Sequence, residues 1–476
     1  MLHNIIGDIM NKSIWYEGVK LNKTKQLTKD IKTDILIIGG GITGVSIAYH
    51  LKNSPYKICL VDKGTIGCST TSKSTGKLTF LQSDIYNKIA NIYNEDIALK
   101  YLKSQRHALN IIKQIIEDNN IDCDFTPTKS IVFTIKKINS LKKQYKFLKQ
   151  NINIKEVDFN KFNSKYAIQV NDTYLINPLK YVNELKKILL ENHIDIYEDT
   201  QIIKYTKKNN NYICKTRNNT ITAKIIIIAN HYPWFIKPSF IPLKSYNEKS
   251  TIVAYKNEDI KDISGINIDS ETISFRPYKD YFIYLNDTHK ICDNDKMNVD
   301  TFKHSLCAPK INYIWSNHDL ITMDYMPLIG KVEDNMYLAT GYNTWGLTNG
   351  SLAGKIISDI ILNNKNEYID LFNPKRPLNL SSLKNILSNI GYNIKAYLKE
   401  KKNIKHKYQN NQKVAIYTDD QGIKHKVKSR CPHLKCELTF NKKDNTWDCP
   451  CHGSRFDING KCILGPSTKD ITIDKE

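Results

Sequence analysis

The chain has 476 residues, more than one ordinary hydrophobic core accommodates, so two or three domains are expected. Apolar residues make up 41% and aromatics 10%, enough for globular packing, and no run approaches the ~20 apolar residues of a membrane span. The net charge of +22 comes from Lys spread along the whole chain among frequent Asn and Ile, which favours a solvated surface over a nucleic-acid site.

The first residues, Met1 to Asp8, lack a basic segment followed by an apolar run, so no signal peptide is evident and a cytoplasmic protein is expected. Residues 1–30 read as a polar arm whose Ile14-Trp15 packs on the domain that follows. Residues 34–38, Asp-Ile-Leu-Ile-Ile, have the branched apolar character of a buried parallel strand. Gly39-Gly-Gly41-Ile42-Thr43-Gly44 follows at once, and Val45 to Leu51 reads as a helix. In this strand–turn–helix context the glycines permit a tight turn and let a pyrophosphate approach the helix N-terminus. A second strand, Lys57 to Val61, ends at Asp62, 23 residues past Gly39, placed to accept ribose hydroxyls and to disfavour a 2′-phosphate. A dinucleotide is therefore predicted, with NAD and FAD both open.

Helical stretches follow at 85–120 and 135–150, and a strand-rich region at 245–320. Ile225 to Ile228 is an apolar strand leading into Ala229-Asn-His231-Tyr-Pro-Trp234. Met336 to Gly341 is another strand ending in Gly, and a helix is predicted from about Ser351 to Leu362. Pro374, Pro377 and the Ser/Leu/Asn-rich run to about 395 read as a linker. The densest basic tract, Lys399 to Lys413, carries no recognition motif.

Near the C-terminus stands Cys431-Pro-His433, then fifteen residues, then Cys449-Pro-Cys-His452-Gly-Ser454. Two Cys and two His suit tetrahedral zinc, but zinc fingers pair like with like in each knuckle. Here each knuckle holds one Cys and one His, as a [2Fe–2S] cluster with one iron on thiolates and one on imidazoles requires. Six other cysteines (59, 68, 123, 214, 292, 307) are scattered, which argues against a general disulfide framework, and Cys462 has no assigned role.

On these motifs the last eighty or so residues resemble a Rieske domain. The resemblance implies that Cys431, His433, Cys449 and His452 are the ligands and that a Cys436–Cys451 disulfide ties the two loops. It also makes Gly465-Pro466 a covering third loop. Ser454 would donate to a bridging sulfide. Phe456 stands where high-potential relatives carry Tyr, which implies a lower potential. Lys435 replaces the usual Gly.

Residues 14–372 resemble the D-amino-acid-oxidase-like (glycine-oxidase-like) FAD-dependent oxidoreductases, in a subgroup with a C-terminal Rieske domain. The motifs are Thr70-Thr-Ser-Lys-Ser-Thr-Gly-Lys77, Ile176-Asn-Pro-Leu-Lys-Tyr181, His231-Tyr-Pro, Tyr325-Met-Pro327-Leu-Ile-Gly330 and Trp345-Gly-Leu-Thr-Asn-Gly350. The resemblance selects FAD and implies an α/β chain. A Rossmann-like FAD-binding domain in segments near 31–80, 175–235 and 320–372 carries a discontinuous α+β substrate domain, followed by a small all-β Rieske domain. The expected divisions are an arm 1–30, an oxidoreductase unit 31–372, a linker 373–398 and a Rieske domain 399–476.

Cofactor contacts are implied from Gly39, Gly41, Ile42, Thr43, Gly44, Asp62, Lys63, Thr70 and Thr71. Lys77, Ile203, Ala229, Gly341, Trp345, Gly346 and Thr348 complete the implied set. Two stretches depart from the family pattern, Ala229-Asn-His231 and Leu285 to His289, and both lie where substrate geometry is set.

The resemblance further implies an amine or amino-acid substrate, with the flavin doing the chemistry and side chains giving little acid–base help. Candidate residues are Arg276, to clamp a substrate carboxylate or serve as an ordinary ion-pair partner, Tyr278, and His231, as a base or a turn residue. Electrons would pass between FAD and the cluster and then to a carrier protein such as a ferredoxin or flavodoxin-like protein, steered by the basic surface. Two other readings remain open: an electron-transfer module without a small-molecule substrate, and a redox sensor.

Overall fold

The structure, a computed structural model, describes residues 12–233, 241–257, 261–291, 310–377, 379–398, 404–409, 412–442 and 444–473. Residues 1–11 of the expected arm, Trp234, Cys292, Cys307 and parts of the basic tract lie outside them.

The expected first strand runs Ile31–Ile38 and lies inside a sheet. Across that sheet the strands are ordered Leu328–Glu333, Met336–Thr340, Thr220–Ile228, Ile31–Ile38, Ile58–Val61 and Asp195–Tyr197. The last five are mutually parallel, and Leu328–Glu333 adds an antiparallel edge. Ile35, Leu36, Ile37 and Ile226–Ile228 are fully buried, as expected of central strands covered on both faces. Helices Ile42–Leu51 and Gly346–Ile361 pack on one face and cross closely. A Cβ at Gly354 would stand 2.7 Å from the Ser46 backbone, so only glycine allows that approach.

A second sheet carries the substrate region. Its order is Tyr313–Thr322, Ser245–Lys256, Tyr281–Lys290, Ser274–Tyr278, Ile263–Asn267, Thr126–Thr134, Tyr166–Leu175 and Lys77–Leu78. Helix Glu95–Asp118, capped by the Asn94 side chain, fills the space between the sheets with Tyr101, Leu102, Leu109 and Ile112. Ile14 and Trp15 are buried, and Trp15 Nε1 donates to Ser74 O at 2.8 Å, so the arm is anchored where its apolar pair predicted.

The stretch expected as a linker forms a helix, Leu380–Leu398. Asn379 caps it by accepting from the Ser382 N–H at 2.8 Å, and Asn385 Nδ2 ties it to Met323 O at 2.8 Å. The Ser and Asn residues that suggested a linker thus act as cap and tether. The C-terminal unit is all β, with sheets of three and four strands around Tyr417, Phe440, Trp447 and Phe456.

Candidate active site

The tight turn after the first strand places Gly39 at φ +111, where a Cβ would lie 2.8 Å from the Ala229 carbonyl. Gly44 sits one turn into the helix, and its Cβ would collide with Gly39 O at 1.9 Å. The helix N-terminus therefore opens on a long cleft of about 1370 Å³, counting the space at its mouth. Gly39, Gly41, Ile42, Thr43, Asp62 and Lys63 line it from one side, and Ala229, Gly341 and Gly346 from the other, with Thr70 and Thr71 at the turn. Thr71 Oγ1 accepts from the Ile42 N–H at 3.0 Å.

Asp62 accepts from the N–H groups of Gly40 at 2.7 Å and Gly64 at 2.8 Å, which orients the carboxylate at the cleft edge. Burial raises its pKa, and the two N–H bonds oppose that shift. Asn230 Oδ1, in the cleft wall, is buried without a partner among the described residues, as a polar atom awaiting a ligand would be. His231 lies beside Asn247, and burial outweighs that contact and lowers its pKa to about 4, so the ring is a neutral wall residue at physiological pH.

Glycine cradle, helix N-terminus, the Asp62 carboxylate at the cleft edge and a buried acceptor in the wall together fit a flavin dinucleotide. Of the remaining expected contacts, Gly44 is spent inside the helix, and Ile203 lies one residue beyond the lining Ile202. Lys77, Trp345 and Thr348 line a second, adjoining cavity. Thr200 and Gln201, which also line the cleft, carried no sequence signal.

The second cavity, about 1160 Å³ counting the space at its mouth, joins the cleft through Ser74, Asn317, Asp319, Asn343 and Thr344. Its wall is one face of the antiparallel strand pair Ser245–Lys256 and Tyr313–Thr322, which presents Tyr246, Glu248, Ser250, Asn317, Asp319 and Ile321. Lys77 is buried there, donating to Gly265 O at 2.9 Å and Ser274 Oγ at 2.5 Å, and burial lowers its amine pKa to about 7.

Arg276 lines neither space. Its guanidinium is buried and donates to backbone carbonyls of Gly76 at 2.8 Å, Ile176 at 2.9 Å, Thr75 at 3.2 Å and Pro277 at 2.9 Å. A carboxylate clamp does not fit this placement: the group braces the turn before Lys77. Tyr278, bonded to Asp124 at 2.8 Å, stands behind the same wall.

In the C-terminal unit the two loops bring Cys431 and Cys449 within hydrogen-bond reach of each other. The rings of His433 and His452 lie 5.2 Å apart, centroid to centroid. Nδ1 of each ring is buried without a partner among the described residues. Cys436 and Cys451 form a disulfide, with Cα atoms 6.4 Å apart, so neither is free to bind metal beside Cys449. A convergent pair of thiols and a pair of orphaned imidazoles fit a [2Fe–2S] cluster with mixed ligation. Ser454 Oγ accepts from the Ser467 N–H at 3.0 Å, which leaves its proton for a sulfur acceptor. Lys435 adopts φ +61, the conformation that makes glycine usual there, and its exposed side chain tolerates it.

This unit contacts the flavin cleft directly. Leu464 to Thr468, the proline-bearing loop, forms part of the cleft wall. Lys63 Nζ donates to Ile463 O at 2.8 Å, and Asn247 Nδ2 donates to His452 O at 2.7 Å. Arg455 Nη1 donates to His318 Nε2 at 3.0 Å; burial, then Arg455 itself, holds that imidazole neutral. Lys249 pairs with Asp444 at 2.6 Å. Asn247, Lys249 and His318 belong to the strand pair whose other face lines the second cavity. One two-stranded wall therefore separates that cavity from the cluster loops.

The cleft and the paired Cys/His loops define a flavin-dependent oxidoreductase with an iron–sulfur centre. Residues 34–360 match the FAD dependent oxidoreductase (DAO) family and residues 394–473 the Rieske [2Fe-2S] domain. The chain belongs to that oxidoreductase family, and its cofactors are FAD and a Rieske [2Fe–2S] cluster. It is 26% identical over 493 residues to the Bacillus subtilis protein YhfW, described as a Rieske 2Fe-2S iron-sulfur protein, covering 97% of each chain. Gamma-glutamylputrescine oxidoreductase of Escherichia coli is 24% identical over 370 residues, covering 70% of this chain and 85% of that one. Glycine oxidase from Geobacillus kaustophilus shares the fold at a TM-score of 0.60 and 16% identity, over 73% of this chain and all of its own. No helix among the described residues is long and apolar enough to cross a membrane.

Proposed function

We propose that the protein oxidises an amine- or amino-acid-type small molecule in the cavity beside the flavin cleft and delivers the electrons, through the cluster, to a carrier protein. The observation that supports this most directly is the cleft wall itself, which is built partly from the Rieske loop Leu464 to Thr468. FAD supplies a two-electron hydride acceptor when bound, and the [2Fe–2S] centre a one-electron carrier.

The chain's own residues hold these sites together and exclude water. The N-terminus of helix Gly346–Ile361 lines the cleft with its positive dipole end, which favours electron density accumulating there. The Asn247–His452 and Lys63–Ile463 bonds keep the cluster loops against the wall. Leu434, beside His433, is 42% exposed and offers an apolar contact for a carrier on the outer edge of those loops. The amine-type substrate is supported by the relation to gamma-glutamylputrescine oxidoreductase.

Anaerobic mixing with a panel of amines and amino acids tests the reading, following flavin absorbance and the cluster's EPR signal together. One compound reducing both supports it. Flavin bleaching with a cluster that stays oxidised would remove the internal path. Reduction only by a carrier protein would leave an electron-transfer module without a small-molecule substrate.

A further inference from the structure

We infer that the second cavity takes its substrate as a cation, an ammonium group held against Asp319 with Glu248 beside it, and not as an amino acid anchored by its carboxylate. This rests on the small-molecule reading above and narrows it.

Glu248 and Asp319 are directly opposite each other in the antiparallel register, so their side chains share one face, and that face lines the cavity. Like charges placed opposite on neighbouring strands repel, more so when buried. Asp319 has no Lys, Arg or His in an ion pair among the described residues; its recorded bond comes from Asn317 Nδ2 at 3.1 Å. Burial, then Glu248, pushes the Asp319 carboxyl up to about 7.

A second observation comes from the neighbouring amide. Asn317 is 6% exposed and lines the same cavity, yet its Oδ1 has no donor among the described residues. With Asp319 ionised, its bond from Asn317 Nδ2 leaves Oδ1 as the unfilled acceptor, at the boundary of cavity and cleft. Asp319, Glu248 and Asn317 Oδ1 thus offer three acceptor groups, matching the three donors of an ammonium.

Glu248 is the less free of the two carboxylates, since Lys88, Lys290 and His289 act on its charge and the Tyr246 hydroxyl bonds it, so Asp319 is the main anchor. Lys88, which also acts on Glu248, pairs with Asp84 at 2.8 Å, and Lys77 is bonded to Gly265 and Ser274. Lys290, opposite Glu248 on its other side, bonds Asn389 and lies over the Tyr246 ring. The guanidinium that would have received a carboxylate, Arg276, faces backbone carbonyls behind the wall.

The test uses the FAD-loaded full chain and reads the flavin difference spectrum and thermal midpoint, which need no turnover. Methylammonium and longer primary alkylammonium ions are titrated against acetate and benzoate, in wild type, Asp319→Asn and Glu248→Gln. The expected result is a spectral shift with the cations only, weakened about tenfold or more in Asp319→Asn, as loss of a charged hydrogen bond implies. Two variants are used so that a folding defect in one leaves the other to decide. Carboxylates that bind wild type as well as the cations do, or cation binding indifferent to both substitutions, would overturn the inference while the oxidoreductase reading stands. Absence of any ligand-induced shift, with no small molecule reducing the flavin, would overturn both.

Discussion

Asn247 donates to the carbonyl of His452 at 2.7 Å, while the residue after Asn247, Glu248, faces the opposite side of the same strand into the cavity. Strand alternation thus carries a cluster-side contact and a substrate-side carboxylate on consecutive residues. A single two-stranded layer lies between the two sites.

Removing that bond separates the two functions. Asn247→Ala is expected to leave substrate reduction of the flavin at its wild-type rate and to slow cluster reduction, with docking weakened by about 1 kcal/mol. Rapid-mixing spectroscopy with freeze-quench EPR checks it; equal slowing of both phases would mean that Asn247 shapes the cavity instead.

Loss of a cluster ligand should be confined to one end of the chain. His452→Ala or Cys431→Ser is expected to abolish the [2Fe–2S] signal and iron content while FAD stays bound, because the cleft is lined mainly by residues 38–74 and 229–347. Iron and flavin assays on the purified variants decide; parallel loss of FAD would show that the covering loop Leu464 to Thr468 is needed to retain it.

Arg276 is expected to behave as a brace. Arg276→Lys leaves buried carbonyls without their donors and should lower stability by about 3 kcal/mol, with the amine KM of the surviving enzyme little changed. Denaturant unfolding beside steady-state kinetics distinguishes this from a clamp, which would show unchanged stability and a large KM increase for carboxylate-bearing compounds.

The raised carboxyl of Asp319 has a stability signature of definite sign. Its ordinary value is 3.8 and the folded value about 7, so between those pH values the folded state holds a proton that the unfolded state has released. Its contribution is therefore largest below about pH 4 and falls as pH rises towards 7, by at most about 4 kcal/mol. Asp319→Asn should remove that slope, and the difference between the two unfolding curves across pH 4 to 8 measures it. A saturating alkylamine should restore stability to wild type above pH 7 and not to the variant.

The cofactors were legible from the sequence because their ligands are local. Gly39 to Gly44 form one turn, Asp62 ends the next strand, and each cluster knuckle spans three or four residues, so spacing along the chain nearly equals spacing in space. The strands around these motifs were readable for the same reason, since branched apolar runs such as Ile225 to Ile228 have no other stable place than a buried sheet. Arg276 was not legible: an arginine reads alike in sequence whether it meets a substrate or four backbone carbonyls, and only the folded turn at Thr75-Gly76 supplies those carbonyls. The helix at 380–398 was hidden by Ser and Asn residues whose value as caps and tethers depends on what they reach. The pairing of Glu248 with Asp319 spans 71 residues, and its register is set by the packing of a whole sheet, not by any local pattern. The sequence by itself therefore determined which cofactors the protein carries, because local chemistry binds them. Only the tertiary structure decided that one strand pair holds the cluster loops on one face and an acceptor-lined cavity on the other, because that depends on long-range strand register.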